Sequence, residues 1–299
     1  MTAQEFDFVG KLLSTASALL WAGAVIAFKQ SSEELSSGSQ NLVKNLVAMV
    51  LFGLTLPVFG VQFLPAVSRE AWIRILMSGL VGLALGDMLF FAALRRLGAG
   101  LNAIVDCLYS PLVFLLSILF LGEPVTLGIV LGGPLVVGAL LLSAEPGKSV
   151  EIPRRRIIEG LALGGLSMLA MAAGIVVVKP VLAHHSAWWV IFWRTAAGTL
   201  GMLLWMALVR ERPKMHLSSA WKKLLAGALL GTYLATAAWL FGMKYTTVTS
   251  AAILNQLSTF FVLMMAAKFL AEPLTRRKAV AAAVAFAGGS LVLTLSAPL

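Results

Sequence analysis

Ten runs of about twenty mostly apolar residues follow one another along the whole chain. A helix of that length crosses roughly 30 Å of hydrocarbon. The runs are continuous rather than alternating, which excludes the strands of a membrane barrel. The sequence therefore predicts an all-α membrane protein with ten transmembrane helices near Gly10–Phe28, Leu42–Gln62, Trp72–Leu94, Ala99–Leu121, Thr126–Ser143, Gly160–Val178, Ala187–Val209, Leu224–Met243, Thr249–Leu270 and Ala279–Leu295.

The composition supports a membrane protein and disfavours other classes. Hydrophobic residues make up 60% of the chain and charged residues 12%, whereas a soluble domain carries roughly a quarter charged residues. The net charge of +10 is explained by Lys and Arg between helices, which set topology, so we predict no nucleic-acid partner. The one cysteine, Cys107, and three histidines outside the predicted helices lead us to predict no metal and no cofactor.

An internal repeat is visible in the sequence. The string FLGEPVT at 120–126 is matched by FLAEPLT at 269–275, an offset of 272 − 123 = 149 residues. The same ungapped offset pairs Trp72 with Trp221. One register that holds over so long a stretch indicates two related halves rather than a chance match.

The repeat predicts the domain organisation. We expect a first five-helix repeat at 1–145, a linker at 146–158 and a second five-helix repeat at 159–299. Because five is odd, the second repeat enters the membrane from the opposite side, and the two repeats are inverted. Inverted repeats are common in secondary transporters, whose substrate site lies between them. One chain contains both halves, so we predict a functional monomer in contact with the lipid bilayer.

Three stretches resemble the EamA-type ten-helix exporters of the drug/metabolite transporter superfamily. They are ALLWAGAVIAFK at 18–29, the run from Gly86 to Thr126, and the second-half counterpart that ends in FLAEPLT. The resemblance covers nearly the whole chain. It implies an inner-membrane exporter of small molecules and not an enzyme, but it does not identify the substrate. Pro124 and Pro273 depart from the polar residue that many members carry at that position.

Ionisable residues inside the predicted helices mark a candidate site, because each costs roughly 2.5–3.5 kcal/mol to insert. Asp87 and Asp106 lie at similar depths below one surface, with Asn45 nearby and Asn102 one helical turn from Asp106. We predict that the two aspartates bind substrate or, as a proton-titrating pair, couple its movement to a proton gradient. The alternative is hydrogen bonding inside the bundle, or pairing with basic neighbours: Lys44, Arg95 or Arg96.

The repeat offset predicts a complementary half-site nearer the other surface. It sets Asn255 against Asp106 and Arg194 against Asn45. A guanidinium binds a carboxylate or phosphate with two parallel hydrogen bonds; the alternative for Arg194 is a structural contact with helix carbonyls. The depths of Asp106 and Arg194 differ by about 10 Å, so we expect a cavity between them. We expect aromatic residues to line it, with ordinary packing as the alternative for each: Trp21, Tyr109, Trp193, Tyr233 and Trp239.

Two further features bear on topology. Glu123 and Glu272 end the fourth and ninth predicted helices, and we expect each to cap the start of the next helix. Lys and Arg are more numerous on the side of the linker, which predicts a cytoplasmic linker and both termini outside.

The function predicted from the sequence is export of amino-acid-like or other small polar or amphipathic metabolites, either coupled to protons or facilitative. No G-x-x-x-x-G-K-[ST] motif is present, which argues against ATP use by this chain. A flippase for lipid-linked sugars and a drug exporter remain alternatives. A more distant one is an intramembrane lipid-modifying enzyme, which the lack of a helical histidine disfavours.

Overall fold

The computed structural model describes residues 2–31, 37–90, 92–93, 96, 105, 108–143, 154–208, 220–269, 276–295 and 297, and within these ranges every regular element is a helix. The helices are α1 (Ala3–Ser31), α2 (Ser37–Val58), α3 (Arg69–Phe90), α4 (Tyr109–Leu121), α5 (Leu127–Ser143), α6 (Arg154–His184), α7 (Ala187–Leu208), α8 (Ala220–Tyr245), α9 (Val248–Asn255), α10 (Ser258–Phe269) and α11 (Arg276–Thr294).

The all-helical membrane prediction is confirmed. In the described ranges, α1, α2, α3, α6, α7 and α8 are long and apolar enough to cross a bilayer, and shorter apolar helices occupy the other four predicted positions. Large apolar side chains such as Leu54 and Phe120 are exposed on the outside, as lipid contact requires. Ten passes bring both chain ends to one membrane surface, the termini face. The linker face is the opposite surface, where α5 ends and α6 begins.

The first helix of each repeat docks on the third helix of the other repeat. The Ser17 hydroxyl in α1 donates a hydrogen bond to the Ala235 carbonyl in α8 at 2.8 Å, and the Ser167 hydroxyl in α6 donates to the Gly86 carbonyl in α3 at 2.8 Å. Gly86 and Ala235 differ by 235 − 86 = 149 residues, the repeat offset. The two halves are therefore interleaved, and their shared core lies between them.

Each third helix contains a π-helical segment that the sequence analysis did not predict. The segments are Ser78–Leu85 in α3 and Ala228–Ala235 in α8, one residue from the repeat register. Such segments are rare and occur often at functional sites. A π turn leaves backbone carbonyls without their usual partners, and the Ser17 and Ser167 hydroxyls satisfy carbonyls at the end of each segment.

The ninth predicted helix is interrupted. We expected one helix over Thr249–Leu270, but α9 ends at Asn255 and α10 begins at Ser258. In the turn, the Thr259 N–H donates to the Gln256 carbonyl at 3.2 Å. This hydrogen bond spans three residues instead of the four of an α-helix. In the first repeat, α4 begins at Tyr109, and 258 − 149 = 109. The same turn bond precedes both helices: the Leu108 N–H donates to the Val105 carbonyl at 2.9 Å, and the Leu257 N–H donates to the Leu254 carbonyl at 3.1 Å.

Small residues let helices of different repeats approach closely. A Cβ added to Gly174 in α6 would lie 2.8 Å from the Cα of Gly82 in α3, and one added to Gly288 in α11 would lie 2.7 Å from the carbonyl oxygen of Gly132 in α5. Close backbone approach at glycine is a usual way to pack membrane helices. Gly138, which is also in α5, has no atom of the described residues within 4 Å of its Cβ position.

Candidate functional site

A cavity of about 370 Å³ with charged and polar side chains in its wall lies between the two repeats. Helices of both halves contribute to its wall, together with both π segments and the turn between α9 and α10. Its size is at the lower end of the range for small-molecule sites. Seven of the residues that the sequence singled out line it: Trp21, Asn45, Asp87, Tyr109, Arg194, Trp239 and Asn255.

Asp87 contacts a basic neighbour in this cavity. Its carboxylate lies 3.8 Å from the Lys44 ammonium, and the side chains are only 18% and 15% exposed. Lys44 also donates to the Asn45 side-chain oxygen at 3.2 Å, and the Asn45 amide donates to Asn41 at 3.4 Å. The pairing of Asp87 with Lys44 was the structural alternative in the sequence analysis. It places one largely buried ion pair at the cavity wall.

Arg194 reaches the cavity from α7 and is 4% exposed. Its Nε donates to the Ser78 hydroxyl at 2.8 Å, and that hydroxyl donates to the Gly174 carbonyl at 2.5 Å. The guanidinium lies over Gly82, where an added Cβ would be 3.3 Å from Nη2. In the described part of the chain, no acceptor is recorded for the two terminal nitrogens of Arg194. Ser78 therefore orients the guanidinium and leaves its two terminal nitrogens available to a ligand.

Three buried polar atoms without a hydrogen-bond partner in the described part of the chain belong to residues of the cavity wall. Among the described residues, four buried side-chain polar atoms lack a hydrogen-bond partner, and three belong to cavity residues: the Tyr109 hydroxyl, the Thr232 hydroxyl and the Trp239 indole N–H. An unpaired buried donor costs about 1–3 kcal/mol, so such groups normally have a partner. Their concentration here indicates a site for a ligand that accepts hydrogen bonds.

Two aromatic residues predicted to line the cavity lie elsewhere. Tyr233 forms a hydrogen bond with the Thr55 hydroxyl at 2.6 Å, and Trp193 donates to the Phe63 carbonyl at 2.8 Å. Neither side chain is part of the cavity wall. Trp193 is one residue from Arg194 and therefore points about 100° away around the helix. The expectation that these two share the aromatic cavity does not hold.

Asp106 and Asn102 lie outside the described residues. Their proximity to Asp87, and the predicted separation of Asp106 from Arg194, therefore stay predictions. No group of three or more His, Cys, Asp or Glu side chains that could hold a metal lies within the described ranges.

Glu123 caps a helix, but not the one we expected. Its carboxylate accepts hydrogen bonds from the backbone N–H groups of Val248 at 2.6 Å and Thr249 at 3.1 Å, and from the Thr249 hydroxyl at 3.0 Å. It therefore caps α9 of the second repeat rather than α5, which follows it in the chain. The equivalent Glu272 lies outside the described residues.

Two further contacts adjoin this cap. The Lys179 ammonium donates to the carbonyls of Met243 and Thr246. The Thr246 hydroxyl donates to the Asp7 carboxylate at 2.5 Å. Together with Glu123, Val248 and Thr249, these residues tie α1, α4, α6, α8 and α9 together at the termini face; we refer to them as the termini-face latch.

Comparisons with known proteins point to one family. The model of the EamA-like transporter family matches residues 8–144 and 158–294. Protein PecM of Dickeya dadantii (strain 3937) is 29% identical over 215 residues, which are 70% of this chain and 69% of that protein. A crystal structure of another protein superposes with a TM-score of 0.80 at 18% identity, over 94% of this chain and 95% of its own. That likeness shows the fold alone.

Proposed function

This chain belongs to the EamA-like transporter family, and from that premise we propose that it carries amino-acid-like or other small amphipathic metabolites across the membrane by alternating access between its repeats. The family match covers both halves and makes the chain a multi-pass membrane transporter of small molecules, not an enzyme. The proposal adds the substrate class, the mechanism and an inner-membrane location.

The observation that carries the proposal is the polar cavity between the repeats. Charged groups inside a bilayer protein are costly and mark substrate or ion pathways, and Asp87, Lys44 and Arg194 all face this one cavity. Discontinuous helices next to such a cavity are common in secondary transporters, and the turn between α9 and α10 lines it. A purely structural role would favour apolar packing at these positions.

The termini-face latch supports alternating access. Glu123 joins the end of α4 in the first repeat to the start of α9 in the second, so the latch closes this face between the halves. Glu272 is the repeat equivalent of Glu123, and because the repeats are inverted we propose that it caps the equivalent helix and forms a second latch at the linker face. We propose that the two latches close in turn and expose the cavity to one side at a time.

Proton coupling would act through Asp87. A neutral Asp87 no longer attracts Lys44, which lies 3.8 Å away, so protonation would change the charge that the substrate meets. Movement down a proton gradient then drives the substrate in the opposite direction, which suits export. A facilitative carrier would lack this step and differ only in its response to the gradient.

Counterflow in proteoliposomes tests both parts of the proposal. The reconstituted full-length chain is supplied with labelled amino acids and amphipathic cations, with and without a pH gradient. We expect at least one amino-acid-like compound to be exchanged, and about tenfold accumulation per pH unit for each coupled proton. Asp87→Asn should retain exchange and lose accumulation, whereas Glu70→Gln, at an exposed position that pairs with Arg74, should retain both.

Two results would contradict the proposal. Exchange confined to the amphipathic cations would replace the amino-acid-like substrate class. Accumulation that persists in Asp87→Asn would place proton coupling elsewhere. The double variant Lys44→Met/Asp87→Asn removes both charges together and controls for a lysine left without its partner.

A further inference from the structure

Within the proposed transport function, on which this inference rests, we infer that the cavity recognises its substrate through a carboxylate held by Arg194, Tyr109 and Trp239, and that a substrate amino group is dispensable. The transported class is then the small monocarboxylate with an apolar body. This differs from a site that recognises the zwitterion of an amino acid as a unit.

The hydrogen-bonding capacity of the cavity favours an acceptor-rich ligand. The Trp239 indole only donates, the Tyr109 hydroxyl can donate, and the two terminal nitrogens of Arg194 only donate. None has an acceptor among the described residues. A carboxylate is planar, accepts hydrogen bonds at both oxygens and fits the guanidinium fork. The ligand that satisfies these groups together therefore carries a carboxylate.

The charges of the cavity favour a single negative charge on the ligand. Of the described lining residues, Lys44 and Arg194 are cationic and Asp87 is anionic, which leaves one positive charge in excess. Asp87 contacts Lys44 at 3.8 Å and acts on Arg194 from a longer distance, so among the described lining residues Arg194 is the cation with no carboxylate in ion-pair contact. A monocarboxylate balances this charge, whereas a phosphate ester with two charges would exceed it.

The same pairing explains why an ammonium group is not needed. An ammonium is held most strongly by a carboxylate, and Asp87, the one carboxylate among the described lining residues, already contacts Lys44. The rest of the wall combines hydroxyl and amide side chains, such as those of Thr232 and Asn255, with an apolar part that includes Trp21, Phe90 and Met171. An apolar body of the substrate would pack there, opposite the carboxylate end.

A direct binding measurement tests this inference independently of transport. The purified full-length protein is titrated with four probes of one shape: 3-phenylpropanoate, L-phenylalanine, phenylalanine amide and 2-phenylethylamine, with Trp21 and Trp239 as fluorescence reporters. We expect the first two to bind within a few-fold of each other. The amide and the amine, which lack the carboxylate, should bind at least about 30-fold more weakly, the effect of removing one partner of a buried charged pair.

Matched variants test the Arg194 and Tyr109 donors. Arg194→Gln should weaken 3-phenylpropanoate binding by at least about 30-fold, with Arg194→Lys intermediate because it keeps the charge but loses the fork. Arg74→Gln, the same change at an exposed helix position, should leave binding unaltered. Tyr109→Phe should weaken binding about tenfold without lowering the melting temperature of the ligand-free protein, since its hydroxyl has no partner to lose.

The possible outcomes are distinct. Equal binding of the amine and the acid, or full binding by Arg194→Gln, would overturn the carboxylate site even if counterflow shows transport. A strong preference for phenylalanine over 3-phenylpropanoate would show that the ammonium is recognised and overturn the dispensable amino group. Failure of all four probes to bind would overturn the inference, while transport of other compounds in the counterflow panel would leave the transporter function standing.

Discussion

Gly288→Val should lower the melting temperature of the protein by about 10 °C, or abolish recovery of the folded monomer. Gly288 in α11 packs against α5, where an added Cβ would lie 2.7 Å from the Gly132 carbonyl oxygen and 2.9 Å from the Leu135 Cβ. A helix backbone cannot retreat from such a contact without separating the two helices. Overpacking of this kind costs about 3 kcal/mol, and each kcal/mol corresponds to roughly 2–4 °C.

Gly138→Val provides the matched control. Gly138 is also helical, in α5, but no atom of the described part of the chain lies within 4 Å of its Cβ position. Both variants add the same β-branched side chain to a helix, so the difference between them isolates the α5–α11 contact. Thermal unfolding in detergent, followed by size-exclusion chromatography, measures both. Equal melting temperatures for the two variants would show that α5 and α11 do not pack as described.

Glu123→Gln should shift the protein about 10- to 100-fold towards the state in which the termini face is open. The glutamate carboxylate accepts three hydrogen bonds at the start of α9. Glutamine keeps the shape but has one acceptor oxygen and no charge to complement the helix terminus. Hydrogen bonds to a charged group contribute about 1.5–3 kcal/mol, and tenfold corresponds to 1.4 kcal/mol.

Cysteine labelling measures this shift. In a Cys107→Ala background, Thr259→Cys places one thiol at the cavity wall, and an impermeant maleimide is added to each face separately. Glu123→Gln should speed labelling from the termini face and slow it from the linker face. Glu70→Gln, at an exposed position on α3 near the termini face, should change neither rate. The repeat predicts the opposite shift for Glu272→Gln. Unchanged labelling in Glu123→Gln would exclude a gating role for the latch.

The sequence identified those site residues whose burial in an apolar helix has a large free-energy cost. A buried Asp87 or Arg194 is conspicuous in an apolar run, and both line the cavity, as do Asn45 and Asn255. The polar partners were much less predictable. Lys44 stood only among the alternatives, and the pairing of Ser78 with Arg194 joins positions 116 residues apart, which no local pattern indicates.

The aromatic residues show the same limit. Trp239 lies at the cavity and Tyr233 does not, although both are in α8. Which face of a buried helix meets the cavity depends on the neighbouring helices, and the π segment of α8 changes the rotation between these two residues. In an apolar helix that is surrounded by lipid and protein, hydrophobic periodicity gives little information about faces.

By itself the sequence determined the number and type of spanning segments, because hydrocarbon thickness fixes the length of a spanning helix. It also determined the division into inverted repeats, because a repeat with an odd number of helices is followed by one of opposite orientation. Only the tertiary structure decided where the helices break, which residues form the cavity wall, and that Glu123 caps α9 rather than α5. These features depend on contacts between segments more than 100 residues apart. Side-chain hydrogen bonds form between whichever groups packing brings within about 3 Å, and packing of the two repeats is a property of the whole chain.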